Sequence, residues 1–315
     1  MLSWEERRQI VKVANLYYFD GWTQAQIAKK MNVSRPVISK LLHKAKEDGI
    51  VEVYIKDENA HTVDLEQKLE KQYGLDQAIV LSTSGFTPEM VKRFLGKVGA
   101  SYLSKQLDEN KKLGLSWGTT LSALIEEYPY ERRNNVHIVP LVGGMGRSHV
   151  NIHSNSLAFN LAQKMNATCS YLYAPAIVES EELKERLVNS KDVAHVLEQG
   201  KNVDVAVVGM GDPFKNSTME QIGYLQPEDL HSLRKSGVVG DISSRFFDAV
   251  GDQVDHPLNH RVIGLDLPDL KRIPQVIGIV ESLYKLESIE AALKGGYLNV
   301  LITDDRTAQE LVEEL

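Results

Sequence analysis

Thr23-Gln24-Ala25-Gln26-Ile27-Ala28-Lys29-Lys30-Met31-Asn32-Val33-Ser34-Arg35-Pro36-Val37-Ile38-Ser39-Lys40-Leu41-Leu42 reads as two short helices joined by a tight turn. Thr23 and Gln26 have capping-box spacing, in which a hydroxyl takes one orphan N–H and the amide reaches back to another. Ile27 and Met31 fall one turn apart on an inner face, and Ala28 is small enough to let a second helix approach. Asn32-Val33 makes the turn, and Ser34 is placed to cap the next helix. Pro36 sits in that helix's first turn, where its missing N–H costs nothing. At about 100° per residue, Val37, Ile38, Leu41, Leu42 and Ala45 share one face. Pro36, Ser39, Lys40 and His43 share the opposite face, with Arg35 at its leading edge. This is the layout of a helix-turn-helix, whose second helix enters the major groove and meets base edges with its polar side. Thr23, Gln24, Ser34, Arg35, Pro36, Ser39, Lys40 and His43 are therefore the candidate DNA-binding residues. An amphipathic pair with a merely solvated polar face would show the same periodicity.

Charge separates this end from the rest. Residues 1–56 hold ten Lys and Arg against six Asp and Glu, a net of about +4, whereas the 315-residue chain is formally −7. A basic end on an acidic body is the asymmetry expected of a DNA-binding module attached to something that should not touch DNA. Upstream, Trp4 to Phe19 has the spacing of a supporting helix. Downstream, Asp48-Gly49 ends the second helix, and Ile50 to Lys56 is β-branched enough for a strand or wing. Residues 1–57 form the expected helix-turn-helix domain. Residues 58–76 are expected to be a linker with a helix carrying a Leu65, Leu69, Tyr73 stripe. That stripe can pack on its own large domain or join two subunits.

With 43% apolar and 25% charged residues, the chain has the composition of an ordinary globular protein with room for a small and a large domain. The single cysteine, Cys169, excludes an internal disulfide or a thiolate cluster and fits a reducing cytoplasm. The first twenty residues are charged throughout, so no signal peptide is expected. No apolar run approaches the ~20 residues a membrane span requires. A cytoplasmic location with no membrane partner is the expectation.

From residue 77 the pattern becomes short apolar strands alternating with amphipathic helices. Ala78–Leu81, Leu113–Ser116, Val136–Leu141, Val203–Met210, Val262–Leu267, Val276–Val280 and Leu298–Thr303 read as buried strands. Helical stretches fall at 88–107, 119–128, 154–165 and 284–294. Such alternation predicts an α/β domain over 77–315, with a mostly parallel sheet covered on both faces. Ligands bind such sheets at the carboxyl ends of the strands.

Gly114-Leu115-Ser116-Trp117-Gly118-Thr119-Thr120 is one such exit, running from a strand into a helix. Its glycines admit close backbone approach, the helix start offers free N–H groups, and three hydroxyls complete a cradle for phosphate or sugar. The same letters satisfy Gly-x-Ser-x-Gly, the nucleophile elbow of α/β-hydrolases, but nothing upstream resembles an oxyanion-hole glycine run. A purely structural turn is the third reading. Val142-Gly143-Gly144-Met145-Gly146-Arg147 is a glycine-rich turn with a cation, and Val208 to Pro213 is another strand exit. Val239-Gly240-Asp241 places a carboxylate where it could bind vicinal hydroxyls. For each of these a tight turn with a solvated charge is the alternative. His149 and His153 have metal-ligand spacing without an evident third ligand, so no metal or cofactor is expected.

Taken in order, several segments resemble the SorC family of bacterial transcriptional regulators over essentially the whole chain. They are Tyr17-Tyr18 with the Thr23–Leu42 motif, Leu113–Thr120, Val239–Asp248, and Ala291-Ala292-Leu293-Lys294-Gly295-Gly296-Tyr297 continuing to Asp304. The resemblance implies a sugar-sensing domain with the fold of sugar-phosphate isomerases and deaminases, no retained catalysis, and tetramers that bind operators. It also implies that the Ser116–Thr120 loop, Asp241 and Lys285 line the effector pocket. With the glycine-rich turn, the candidate effector set is Ser116, Trp117, Gly118, Thr119, Thr120, Gly144, Arg147, Asp241 and Lys285.

One departure matters. Many relatives have Ala-Gly-Gly before the pocket lysine, where this chain has Val280-Glu281-Ser282. Losing both glycines stiffens the loop, and Glu281 adds negative charge where a phosphate would sit. A free sugar or polyol therefore stands beside a sugar phosphate as the expected effector. Val142 occupies a position where some relatives carry a lysine, which excludes a Schiff base there.

The expected function is a sugar-responsive regulator of a carbohydrate-utilisation operon, with effector binding altering operator affinity through a quaternary change. Its expected partners are operator DNA, the effector, and further copies of itself in a dimer or tetramer. The alternative is a sugar-phosphate isomerase or deaminase carrying a DNA-binding end. That enzyme would need Asp241 or Asp212 as its base, and no acid/base pair stands out.

Overall fold

A computed structural model describes residues 3–51, 57, 59–107, 111–144 and 150–313. The chain divides into two compact units, Met1–Ala60 and His61–Leu315.

The smaller unit holds helices α1 (Trp4–Tyr18), α2 (Gln24–Met31) and α3 (Arg35–Glu47). They enclose a core of Val13, Leu16, Ile27, Ala28, Ile38 and Leu42. The Thr23–Gln26 box closes both ways: Thr23 N–H donates to Gln26 Oε1 at 2.8 Å, and Gln26 N–H to Thr23 Oγ1 at 3.3 Å. Asn32 ends α2 in the left-handed region at φ 54°, which a short amide side chain tolerates. Two expectations need correction. Ser34 has the extended backbone of a cap residue, but its hydroxyl makes no capping bond. Val37 is 41% exposed, so the buried stripe of α3 is Ile38, Leu42 and Ala45, with Leu41 partly buried against the same core. These three are spaced four and three residues apart, whereas Val37 lies about 100° round the helix, beyond what α1 and α2 cover. Most of the expected wing, residues 52–56, lies outside the described residues.

Among the described residues, the larger unit has ten strands. They are β1 (Gln77–Leu81), β2 (Lys112–Leu115), β3 (His137–Pro140), β4 (Thr168–Cys169), β5 (Val205–Val208), β6 (Met210–Gly211), β7 (Val238–Ile242), β8 (Arg245–Asp248), β9 (Gln275–Ile279) and β10 (Val300–Asp304). Seven form a parallel sheet in the order β1-β10-β9-β5-β2-β3-β4, and β6-β7-β8 form a small antiparallel sheet. All four residues of β5 are buried, as a central parallel strand demands. Val205 and Val207 enter one apolar core while Ala206 and Val208 enter the other, the period-two signature of a sheet covered on both faces. From β2 the chain moves outward to β3 and β4, then returns on the other side of β2 as β5 and proceeds to β9 and β10. Strand order thus reverses between β2 and β5, which makes that crevice the topological switch point.

Helices α4 (Ala60–Tyr73), α5 (Pro88–Gln106), α6 (Thr119–Glu127) and α7 (Ser154–Met165) help cover the sheet. Leu65 and Leu69 of α4 are buried in the larger unit's own core. Tyr73 Oη and Gln72 Nε2 both donate to the Leu311 carbonyl at 3.1 Å. Glu70 and Glu66 accept the N–H groups of Ala78 and Val80, each at 2.9 Å. The stripe read from the sequence is therefore used within its own unit.

Residues 262–267, expected as a strand, form instead a loop with isolated bridges from Val262 to Ile177 and from Gly264 to Val142, ending where Leu267 opens a short helical turn. Its carbonyls are collected by Arg245, which is 2% exposed. The guanidinium donates to Asn259 O at 2.6 Å, Leu265 O at 3.2 Å and Gly264 O at 3.1 Å, and pairs with Asp266 at 2.8 Å. An apolar run can thus be satisfied by one fork of five donors instead of a ladder. Similarly, Val203–Met210 breaks after Val208, and Met210-Gly211 turns into the second sheet. Arg245→Met should leave several buried carbonyls without donors and lower unfolding stability by about 2–4 kcal/mol. A denaturant midpoint unchanged from wild type would contradict that role.

Candidate functional site

A cavity of about 490 Å³ opens at the carboxyl ends of β2, β5 and β9, beside the switch point. The β2 exit contributes Trp117, Gly118, Thr119 and Thr120 to its wall. Gly118 lies at φ +127°, a conformation that L side chains rarely adopt, and it heads α6. Its N–H donates to the Ile152 carbonyl at 3.1 Å. The following N–H groups, on Thr119 and Thr120, have no carbonyl one turn back to receive them, so the helix presents partial positive charge there.

Ser116 departs from its expected place. It is 1% exposed and does not line the cavity; its hydroxyl accepts from Ser243 Oγ at 2.8 Å. Trp117 Nε1 likewise donates to Ser244 Oγ at 3.2 Å. Both bonds tie the loop to the β7–β8 hairpin. Ile242 pairs with Arg245 across a two-residue turn, and Ser243 and Ser244 both have positive φ, at 52° and 68°. That geometry ordinarily calls for Asn-Gly. Here it is held by the Asp241 carboxylate, which accepts Ser244 N–H at 3.1 Å.

Asp241 is also a wall residue. It faces Gly211 on β6, where an added Cβ would fall 2.4 Å from Asp241 Oδ1, so only glycine leaves room for the carboxylate. Burial pushes the Asp241 carboxyl up to about 7. The Ser244 N–H and Lys285 pull it down, and nearby Asp212 pushes it up further. Burial also raises Asp212, whose Oδ1 accepts the N–H groups of Phe214 at 2.7 Å and Lys215 at 3.1 Å. Lys285, half-buried on a short turn of 3₁₀ helix after β9, is lowered by burial, while Glu281 draws it back upward. Ser282, in the same loop, takes φ +99°, the strain of a serine in a glycine-favouring conformation.

Of the expected effector residues, the structure brings Trp117, Gly118, Thr119, Thr120, Asp241 and Lys285 together. Gly144 is elsewhere: its N–H donates to Ala174 O at 2.9 Å, and its carbonyl accepts from Ala176 N–H at 2.8 Å and Tyr224 Oη at 3.0 Å. Those bonds leave it serving backbone pairing. Arg147 and His149 lie outside the described residues. Among the described residues no His, Cys, Asp and Glu cluster could hold a metal ion. Lys92, from α5, and Tyr284 line the cavity without having been anticipated. Lys92 sits inside an amphipathic helix, where a lysine carries no local signal of its destination.

On the smaller unit, Ser34, Arg35, Pro36, Ser39, Lys40 and His43 are all exposed along α3. Thr23 is exposed and Gln24 half-buried at the start of α2. Two are engaged locally: Thr23 Oγ1 donates to Gln26 Oε1 at 2.9 Å, and His43 Nε2 lies 3.2 Å from Glu47. Lys40 lies on the side of α3 away from its buried stripe, and Arg35 is exposed at the first residue of the helix.

A helix-turn-helix unit joined to an α/β unit with a polar switch-point cavity is the design of a ligand-sensing transcriptional regulator. Comparison with known proteins agrees. The family model described as "Putative sugar-binding domain" matches residues 57–313, and that of sigma-70 region 4 matches residues 5–47. The deoxyribonucleoside regulator of Bacillus subtilis is 33% identical over 313 residues, covering 99% of each chain. The full-length sorbitol operon regulator of Klebsiella pneumoniae superposes with a TM-score of 0.76 at 31% identity, covering 97% of this chain and 98% of that one. A DeoR family transcriptional regulator from Listeria monocytogenes gives 0.76 at 44% identity, over 79% of this chain and 99% of that one. The chain belongs to the SorC family of sugar-binding transcriptional regulators. It is a regulator and not an enzyme, as these relatives are. No helix among the described residues is long and apolar enough to cross a membrane.

Asp241 has a direct signature in stability. Its folded pKa, about 7, lies above the ordinary value of about 4, so the folded state keeps a proton that the unfolded chain releases. Its contribution to stability therefore falls as pH rises through that window and levels off above it. Asp241→Asn retains an acceptor for Ser244 N–H but does not titrate. The melting temperature of the variant relative to wild type should rise from about pH 4 to about pH 7 and then plateau. A flat difference across that range would show that the carboxyl is not buried as described.

Proposed function

We propose that the chain is a cytoplasmic regulator of a carbohydrate-utilisation operon, responding to a sugar-type effector through a change in subunit arrangement. The observation that carries this reading is the cavity itself. It gathers two buried aspartates, two lysines and the N-terminus of α6 at the switch point of a sheet whose family is sugar-binding. Residues 1–57 act as reader, 77–315 as sensor, and 58–76 as the link between them. In a dimer or tetramer, two α3 helices are held at a fixed separation. They match operator half-sites one helical turn apart, about 34 Å, or a multiple of it. An effector changes operator affinity only by binding one arrangement better than another. Arg35 and Lys40, with Ser39 and Pro36 beside them, meet the bases and backbone. Thr119, Thr120, Asp241 and Lys285 hold the effector.

The test is a thermal-shift screen of sugars, polyols and their phosphates, paired with operator binding to DNA enriched from a random pool. At least one compound should raise the melting temperature and change operator affinity. A large unit that merely oligomerises would respond to none. Arg35→Ala or Lys40→Ala should weaken operator binding by about 1–3 kcal/mol where the contact to guanine is bidentate. Unchanged affinity in both variants would place the groove-facing side elsewhere. Lys285→Ala should lose the effector response while binding DNA normally.

A further inference from the structure

We infer that the ligand of this cavity is an uncharged polyhydroxylated molecule, a free sugar or polyol, and that Glu281 discriminates against its phosphorylated form. This rests on the sensor reading above and narrows its ligand. Five carboxyl and ammonium side chains line the cavity: Asp212, Asp241 and Glu281 against Lys92 and Lys285. The three acids are 5%, 6% and 7% exposed, so each is a fixed part of the wall. Lys215 reaches Asp212 from the rim at 4.0 Å, with its own side chain 58% exposed, and Glu287 adds negative charge near the same aspartate. Lys285 interacts with Glu281, Asp241 and Asp212, and is opposed by Lys92. The lining ammonium groups are thus matched by carboxyl groups before any ligand enters. A phosphate dianion would find no surplus of ammonium over carboxyl groups and would lie beside Glu281 in a low-dielectric enclosure.

Glu281 is held in place. The Ser282 hydroxyl donates to its carboxylate, and Ser282 N–H donates to Asp304 Oδ2 at 3.5 Å. Asp304 is itself fixed by Thr307, whose Oγ1 and N–H donate to it at 2.6 Å and 3.0 Å. The helix start offers less to an anion than its sequence suggests, because Gly118 N–H is already bonded to Ile152. Vicinal hydroxyls, by contrast, can donate to the carboxylates and bond the hydroxyl and amide groups of Thr119, Thr120, Ser217 and Gln221, all on the wall. The volume, about 490 Å³, is in the range of small-molecule sites.

Isothermal titration of the full chain with matched pairs tests this. Suitable pairs are glucitol and glucitol 6-phosphate, ribose and ribose 5-phosphate, and fructose and fructose 6-phosphate, with inorganic phosphate as a further probe. In at least one pair the free member should bind about tenfold tighter than its phosphate or better, and inorganic phosphate should give no binding heat. Glu281→Gln should narrow that ratio about tenfold by strengthening the phosphate member. Tighter binding of the phosphate member to wild type, or a ratio unmoved by Glu281→Gln, would overturn the inference and leave the sensor reading standing. Failure of both members of every pair to bind would remove the sensor reading and this inference with it.

Discussion

The hydrogen bond from Ser244 N–H to the Asp241 carboxylate does two jobs at once, and much of the larger unit is arranged around it. It steadies a turn in which two consecutive serines occupy the left-handed region, and it fixes the carboxylate at the cavity wall. The serine hydroxyls then reach Ser116 and Trp117, so the exit of β2 is positioned by the hairpin beside it. Gly211 supplies the space that makes this possible, and Arg245, the next residue after the turn, anchors the loop behind it. The motif thus divides its work: Ser116 and Trp117 brace the hairpin that carries one acid, while Gly118, Thr119 and Thr120 line the cavity.

The reader unit depends on different physics. Its core is small, and its helices rely on local devices such as the Thr23–Gln26 box and the left-handed Asn32 to set their angle. Because those devices are short-range, they can be read directly from neighbouring letters. The outer face of α3 is left open, and the buried stripe is just three residues wide. Economy in the core is what leaves so much of the helix exposed.

Legibility followed range. The parallel strands, the switch-point loop and the capping box were all visible, because each depends on residues close in sequence. Four features were not. Ser243-Ser244 lacks the Asn-Gly signal of a tight hairpin, and its stability comes from Asp241, Ser116 and Trp117 in combination. Val262–Leu267 is an apolar run whose periodicity cannot tell a ladder from a loop bound by a distant arginine. Lys92 reaches the cavity through the packing of α5, and Gly144 is drawn away from it by pairing with residues 174–176. Each miss involves a partner at least two residues, and usually dozens, away.

Along the free margin of β1, Glu66 and Glu70 cap the alternate amides of Val80 and Ala78. An unpaired strand at that margin would be a template for any extended chain that met it. Two carboxylates from one helix close the seam, and at the far margin β4 offers no more than two residues. The sheet therefore cannot lengthen by adding strands from a neighbour at β1.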